Sequence, residues 1–326
     1  MKDTPPMLFA LSETMALGRA MAEHLGVHLA AHEERQFEDG EHKIRALQSV
    51  RGADVYVVQS LASDASRSAN DKLCRLLFFM GSLRDAGAER LTAVVPYLCY
   101  ARKDRKTKAR DPVTTRYIAR LLESVGSDRV VTLDVHNLAA YQNAFQHCRS
   151  EHVSATELFS SYAADTLDRE LVIVSPDAGG AKRADSLRVS LGQRIGVETP
   201  MAFMEKQRSG GVVSGSTAVV GRVHGKTALV VDDLVSTGTT LVRAAEACLQ
   251  AGAQQVWAAA THGVFTCEAE AVLSEAPLQK LLITDSISPL RLTRSAATEK
   301  VEVLSVAALL GDTVGQLNRG EPLTWQ

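Results

Sequence analysis

The run Val230-Val231-Asp232-Asp233-Leu234-Val235-Ser236-Thr237-Gly238-Thr239-Thr240-Leu241 carries the sharpest chemical signal in the chain. An apolar stretch delivers two adjacent carboxylates, and a short turn of Ser, Thr and Gly then opens a helical pattern. Such a turn points backbone N–H groups and hydroxyls at a helix N-terminus, where the dipole also favours an anion. Gly238 lets the backbone approach a phosphate closely. Two carboxylates would repel that phosphate, so they need another partner. The vicinal hydroxyls of a sugar, or a Mg2+ ion, suit them. The competing reading is an ordinary strand end followed by a Ser/Thr cap. Paired aspartates at a buried strand end are costly without a partner, so the turn is read as a cradle for a phosphorylated ribose.

Other segments could serve the same ligand. Asp134-Val135-His136 and Ser175-Pro176-Asp177-Ala178-Gly179-Gly180 each follow an apolar run. In open α/β sheets the ligand crevice lies beyond the carboxyl ends of strands, so His136 and Asp177 are candidates for a Mg2+ site, directly or through water. Taken singly, each is more often a satisfied structural residue. Tyr100-Ala101-Arg102-Lys103-Asp104-Arg105-Lys106 is a basic cluster after another apolar run. It reads as a solvated loop or as one whose Arg102 reaches a phosphate with two nitrogens at once. Glu205-Lys206-Gln207-Arg208-Ser209-Gly210-Gly211 combines two cations with glycines, the make-up of a mobile lid that neutralises a transferring phosphoryl group. Phe37-Glu38-Asp39-Gly40-Glu41 reads as a turn between strands. The segment Gly221 to Thr227 resembles a Walker A loop, but it has one residue too few between its glycines and precedes a strand instead of following one. It is a turn entering that strand.

The elements that must position these residues are short β-branched runs alternating with helical patterns. Strands are expected at Asp54 to Val58, Leu91 to Val95, Arg129 to Leu133, Leu171 to Val174, Ala228 to Val231 and Val256 to Ala260. They are nearly all apolar, as parallel strands covered on both faces are. Helical spacing runs over Asn70 to Ala86 and Leu241 to Ala251. The pattern predicts a doubly wound α/β architecture. An internal echo sets the domain count. VYVV (Val55 to Val58) leads through a helix to Ala86-Gly87-Ala88 and a strand, and ALVV (Ala228 to Val231) leads through a helix to Ala251-Gly252-Ala253 and a strand. Two similar domains are expected, over residues 1–150 and 151–326.

A formal net charge of −2 gives no global basic field, so nucleic acid is not an expected partner. The five cysteines are scattered without zinc-like spacing, which suits a reducing compartment. The opening residues lack the apolar core of a signal peptide, and no stretch approaches the ~20 apolar residues of a membrane span. A soluble cytoplasmic protein with no membrane partner is expected.

Taken in order, FEDGE, YARKDRK, DVH, SPDAGG, EKQR and VVDDLVSTGTT resemble the ribose-phosphate pyrophosphokinases, or phosphoribosyl pyrophosphate (PRPP) synthetases. The resemblance runs from about Phe9 to the SVAALL segment at Ser305. It implies two domains of type I phosphoribosyltransferase-like fold and a Mg2+-dependent transfer of the β,γ-diphosphoryl group of ATP to the 1-hydroxyl of ribose 5-phosphate. It implies that Ser236, Thr237, Gly238, Thr239 and Thr240 hold the 5-phosphate, and that Asp232 and Asp233 hold the ribose hydroxyls. Phe37 would stack on adenine with Asp39 and Glu41 nearby, and Arg102 and Lys103 would contact ATP phosphates. His136 and Asp177 match the Mg2+-associated pair, and Lys206 and Arg208 the catalytic cations of the flexible loop. A homo-oligomer, dimer or hexamer, is implied as well.

The chain departs from the family pattern DDxxDTxGT, with Ser236 at its third Asp and Thr239 at its glycine. Lys103 stands where Gln is usual, and Asn137 to Phe145 differ from the usual run after the histidine. Two alternatives follow: a non-catalytic subunit that assembles with an active synthetase, and a type I phosphoribosyltransferase using PRPP and a base. Retained Lys206, Arg208, His136 and Asp177 argue against the first. The duplicated pattern and FEDGE argue against the second.

Overall fold

The computed structural model describes residues 4–209, 212–288, 291–292 and 296–323. In the N-terminal part, β1 (Met7–Ala10) leads to α1 (Met15–Leu25) and then to a hairpin of β2 (His32–Gln36) and β3 (His42–Ala46). There follow β4 (Asp54–Val58), α2 (Ala69–Asp85), β5 (Arg90–Val95), α3 (Thr114–Ser124), β6 (Arg129–Leu133), α4 (Leu138–Gln142) and β7 (Arg149–Val153). The strands β1-β4-β5-β6-β7 form one parallel sheet in that order, and the β2–β3 hairpin is a separate antiparallel pair.

The second part repeats the plan. After α5 (Thr156–Thr166) come β8 (Leu171–Ser175), α6 (Ala181–Ile195) and a hairpin of β9 (Met201–Ser209) and β10 (Val212–Val220). Then follow β11 (Thr227–Val235), α7 (Thr239–Gln250), β12 (Gln255–Gly263), α8 (Ala269–Glu275), β13 (Leu281–Thr284), α9 (Ala296–Lys300) and β14 (Val301–Leu304). The sheet runs β10-β9-β8-β11-β12-β13-β14, parallel throughout except for the antiparallel edge strand β10. Each sheet has its own apolar core, one around Val55, Leu76 and Leu91, the other around Val230, Leu241 and Val256.

The duplication extends to single hydrogen bonds. Gly52 and Gly225 both have positive φ, and their N–H groups donate to the carbonyls of Gly87 and Gly252, each at 2.8 Å. The Ala53 and Lys226 amides close matching turns onto Val50 and Val223. Gly87 and Gly252 sit at φ 92° and 89°, just beyond the ends of α2 and α7, where a left-handed residue terminates a helix. The segment that mimics a Walker A loop is thus the turn that feeds β11.

The chain does not divide at one point. One compact unit comprises Met1–Ser154, Ser286–Pro289 and Ser305–Gln326, the other Ala155–Asp285 and Leu290–Leu304. A single boundary near residue 150 therefore misassigns the last helix, α10 (Ala307–Arg319), which belongs with the first unit. Its buried Leu310, Val314 and Leu317 are its apolar face. Asn318 Nδ2 donates to Asp54 at 2.8 Å, and His24 meets Asp312 at 2.7 Å across α1. Local pattern shows that this helix has an apolar face, but not which half of the chain covers it.

Candidate active site

In the second unit, β11 ends in the two aspartates and hands the chain directly to the phosphate-type turn. Val231, Asp233 and Val235 are buried, while Asp232, Ser236 and Thr237 are half-buried and Thr239 and Thr240 exposed. The turn is braced from beyond β12. Val264 and Phe265 donate their amides to the Val235 carbonyl and Thr266 donates to Ser236, all at 3.0 Å. Gly238 caps α7 at φ 87°, with no side chain accepting a cap hydrogen bond. A Cβ there would lie 2.9 Å from Leu273 Cδ2, so both conformation and space demand glycine. The first turn of α7 thus presents backbone N–H groups without a carboxylate plug, the arrangement that receives phosphate. Thr239, at the family's glycine position, is the first helical residue. Its hydroxyl lies 3.0 Å from that of Thr237, so the departure is absorbed without closing the turn.

The carboxylates beside the turn are crowded. The Asp233 amide donates to Asp232 Oδ1 at 2.8 Å. Burial pushes the Asp232 carboxyl up to about 7, and the hydrogen bond to Asp233 and its charge add to that rise. A side chain that no sequence reading singles out faces both acids: Arg183 Nη1 lies 3.8 Å from Asp232 Oδ1 and 3.9 Å from Asp233 Oδ1. The available signal was its place in the first turn of α6, where the helix dipole disfavours a cation. Asp177 follows β8, the parallel neighbour of β11, with Val174 beside Val230 in register. Asp177 and the aspartate pair therefore leave the same edge of one sheet. Asp177 is exposed, with Oδ1 accepting the Gly180 amide at 3.0 Å. An exposed carboxylate fits Mg2+, which takes one or two carboxylates and fills its shell with water and substrate phosphates.

In the first unit, three expected site segments lie on two structures. Arg102, Lys103 and His136 follow β5 and β6, adjacent parallel strands, and Asn137 Nδ2 ties the two loops by donating to Asp104 at 2.5 Å. Arg102 and His136 are exposed. Lys103 is turned into its own loop: its ammonium meets Asp111 at 2.6 Å and Thr107 Oγ1 at 2.9 Å. Asp111 also accepts the Thr107 and Lys108 amides, and these bonds hold its carboxyl well below the usual range. Phe37, Asp39 and Glu41 form the tip between β2 and β3. The Phe37 amide donates to Glu41 O at 2.7 Å, Asp39 Oδ1 accepts the Glu41 amide at 3.0 Å, and Gly40 takes φ 92°. Phe37 is 39% exposed with the Arg35 guanidinium 5.0 Å from its ring, so a flat face remains accessible at the tip.

Lys206 and Arg208 are not on a free loop. Their backbone continues β9, opposite Thr217 and Val213 of β10, because pairing with that strand carries the hairpin as far as Ser209. Their side chains, with Gly210 and Gly211, lie outside the described residues. Among the described residues, no three or more His, Cys, Asp or Glu side chains group as a preformed metal site, and no helix is long and apolar enough to cross a membrane.

Fold and site together define a duplicated α/β protein with an anion cradle beside a carboxylate pair. Residues 6–126 match the N-terminal domain of ribose phosphate pyrophosphokinase, and residues 213–325 match the phosphoribosyl synthetase-associated domain. The chain is 35% identical over 321 residues to ribose-phosphate pyrophosphokinase 1 of Streptococcus pneumoniae, spanning 97% of this chain and 95% of that one. It is 37% identical over 314 residues to ribose-phosphate pyrophosphokinase of Caldanaerobacter subterraneus subsp. tengcongensis, spanning 96% and 95%. The crystal structure of phosphoribosylpyrophosphate synthetase from Mycobacterium smegmatis matches with a TM-score of 0.86 at 33% identity, over 97% of this chain and all of that one. The chain belongs to the ribose-phosphate pyrophosphokinase family. These matches bear out the family, the enzyme class and the two-part α/β fold expected from the sequence.

Proposed function

We propose that the protein moves the β,γ-diphosphoryl group of ATP to the 1-hydroxyl of ribose 5-phosphate, giving PRPP and AMP. The observation that carries this reading is the uncapped turn at Gly238 beside Asp232 and Asp233. It offers phosphate donors and hydroxyl acceptors side by side, within a chain related over nearly its whole length to ribose-phosphate pyrophosphokinases. Ser236 to Thr240 take the 5-phosphate, and the two aspartates accept the vicinal ribose hydroxyls, which orients the anomeric oxygen. Phe37 supplies a flat face for adenine, with Asp39 and Glu41 as acceptors for its amino group. Arg102 binds ATP phosphates, while Lys103 acts through Asp111 to shape the loop that presents Arg102.

Asp177 would hold Mg2+ and His136 would act through water, since an imidazole nitrogen is a poor ligand for so hard an ion. When bound, the ion neutralises charge on the triphosphate. The 1-hydroxyl attacks the β-phosphorus and gives up its proton to water, the bond from the β-phosphorus to the oxygen bridging the α-phosphate breaks, and AMP leaves. Lys206 and Arg208 stabilise the charge that spreads over the transferring group. The reading includes a cytoplasmic homo-oligomer, a dimer or hexamer, measurable by light scattering on purified protein.

A coupled assay tests this reading. AMP and PRPP should appear in equal amounts only when ATP, ribose 5-phosphate and Mg2+ are all present. ATP consumption without PRPP would reject it. Activity that appears only after an active synthetase is added would favour the non-catalytic subunit. Lys206→Ala should lower kcat by about 10²-fold or more while leaving the KM for ribose 5-phosphate near its starting value.

A further inference from the structure

Arg183 sits where its own helix gives it no reason to be. It lies in the first turn of α6, the positive end of the helix dipole. Among the described residues its guanidinium faces the aspartates at the end of β11, at 3.8 and 3.9 Å. Those distances lie beyond hydrogen-bond reach, so the guanidinium supplies charge without occupying the carboxylate lone pairs. Gly180 lies beside it. A Cβ at that position would lie 3.0 Å from Ser175 Oγ, a tight approach, and 3.8 Å from Arg183 Nη1, an ordinary contact. The cation offsets charge on two adjacent acids whose side chains are only 22% and 6% exposed. A guanidinium remains charged under all working conditions and cannot hand over a proton.

We propose that Arg183 is a positioning residue that holds Asp232 and Asp233 side by side by its charge, without itself taking the acceptor sites that the two vicinal hydroxyls of ribose 5-phosphate use. This rests on the proposed substrate. It predicts that Arg183 governs recognition of the hydroxyls and leaves recognition of the phosphate to the turn at Gly238.

The test compares binding of ribose 5-phosphate and 2-deoxyribose 5-phosphate by calorimetry, which needs no turnover, in the wild-type protein and in Arg183→Ala, Arg183→Met and Arg183→Lys. The wild type should prefer the ribose compound. Arg183→Ala should weaken ribose 5-phosphate binding about 10- to 100-fold, and the ribose-to-deoxyribose ratio should fall toward one. Arg183→Lys should restore most of both. If Arg183→Ala unfolds, Arg183→Met keeps the stem and is read by the same ratio. An alanine variant that binds ribose 5-phosphate within about twofold of wild type, or that loses both sugars by one factor, overturns the proposal. A wild-type protein with the expected binding ratio but no PRPP formation would sink the proposed reaction and leave the role of Arg183 standing.

Discussion

The strand β4 and the strand β11 enter by the same glycine turn and leave to opposite ends. Residue for residue from Gly52 and Gly225, the positions of Asp232 and Asp233 correspond to Gln59 and Ser60. Both of the latter are buried and satisfied within their own unit. The Ser60 hydroxyl donates to Ser286 O at 2.6 Å, and Gln59 Nε2 donates to Glu13 at 3.3 Å. The helices that follow differ in the same sense. At α2, Ser68 and Asp71 form a reciprocal capping box, so the protein itself fills the N-terminus. At α7 the cap is Gly238, which makes no side-chain cap hydrogen bond, and the Thr239 amide reaches Thr237 Oγ1 only at 3.4 Å. One supersecondary unit thus becomes scaffold or site: the scaffold copy caps its helix with a reciprocal pair of its own side chains, and the site copy starts its helix at a glycine.

Protonation follows the same division. Buried Lys72 meets Asp64 at 2.5 Å in the loop before α2, and Arg67 pairs with Glu13. Burial works against the charge of Asp64, yet hydrogen bonds from Lys72, from Ser66 and from the Ser66 and Arg67 amides hold its carboxyl well below the usual range. Asp232 moves the other way, up to about 7, because burial and Asp233 outweigh Arg183. A satisfied carboxylate is depressed and a waiting one is raised.

Copying the scaffold pair into the site should have the largest effect. Asp232→Gln combined with Asp233→Ser should leave the protein folded but lower kcat/KM for ribose 5-phosphate by about 10²- to 10⁴-fold. Near-native turnover would show that the aspartates are not what separates the two copies. Next in size is Asp64→Ala, which strips Lys72, 2% exposed, of its carboxylate. The loss should be about 3–5 kcal/mol of stability, seen in denaturant melts, with unchanged KM values for the protein that remains folded. A loss below ~1 kcal/mol would mean that the pair is dispensable.

The smallest effect sharpens the protonation contrast. A carboxyl raised on folding binds more protons in the native state, so Asp232 costs stability progressively as pH rises from about 4 to about 7. Asp232→Asn should therefore match wild type near pH 4 and exceed it in Tm by roughly 2–8 °C at pH 8, while binding ribose 5-phosphate more weakly. Asp64 has the opposite sign: its stabilisation is present above about pH 4 and is lost as pH falls. A Tm gain for Asp232→Asn that is independent of pH would refute the assignment.

What the sequence determined by itself was the local grammar. The apolar runs at Asp54 to Val58 and Arg129 to Leu133 are β4 and β6 to the residue, because fully buried parallel strands need continuous apolar side chains. The turn after β11 was legible for a related reason: two acids, a glycine and four hydroxyls fit few backbones. The run at Ala228 to Val231 stopped short, since β11 continues through both aspartates to Val235, held by pairing to β12 that no local pattern reveals. Tertiary structure alone decided three further matters. It returned α10 to the first unit, because an apolar helix face does not name its partner. It turned Lys103 onto Asp111, eight positions away, within a basic run that reads as outward-facing. And it brought Arg183 to Asp232 and Asp233, since only the parallel pairing of β8 with β11 sets the start of α6 beside two acids about fifty residues downstream.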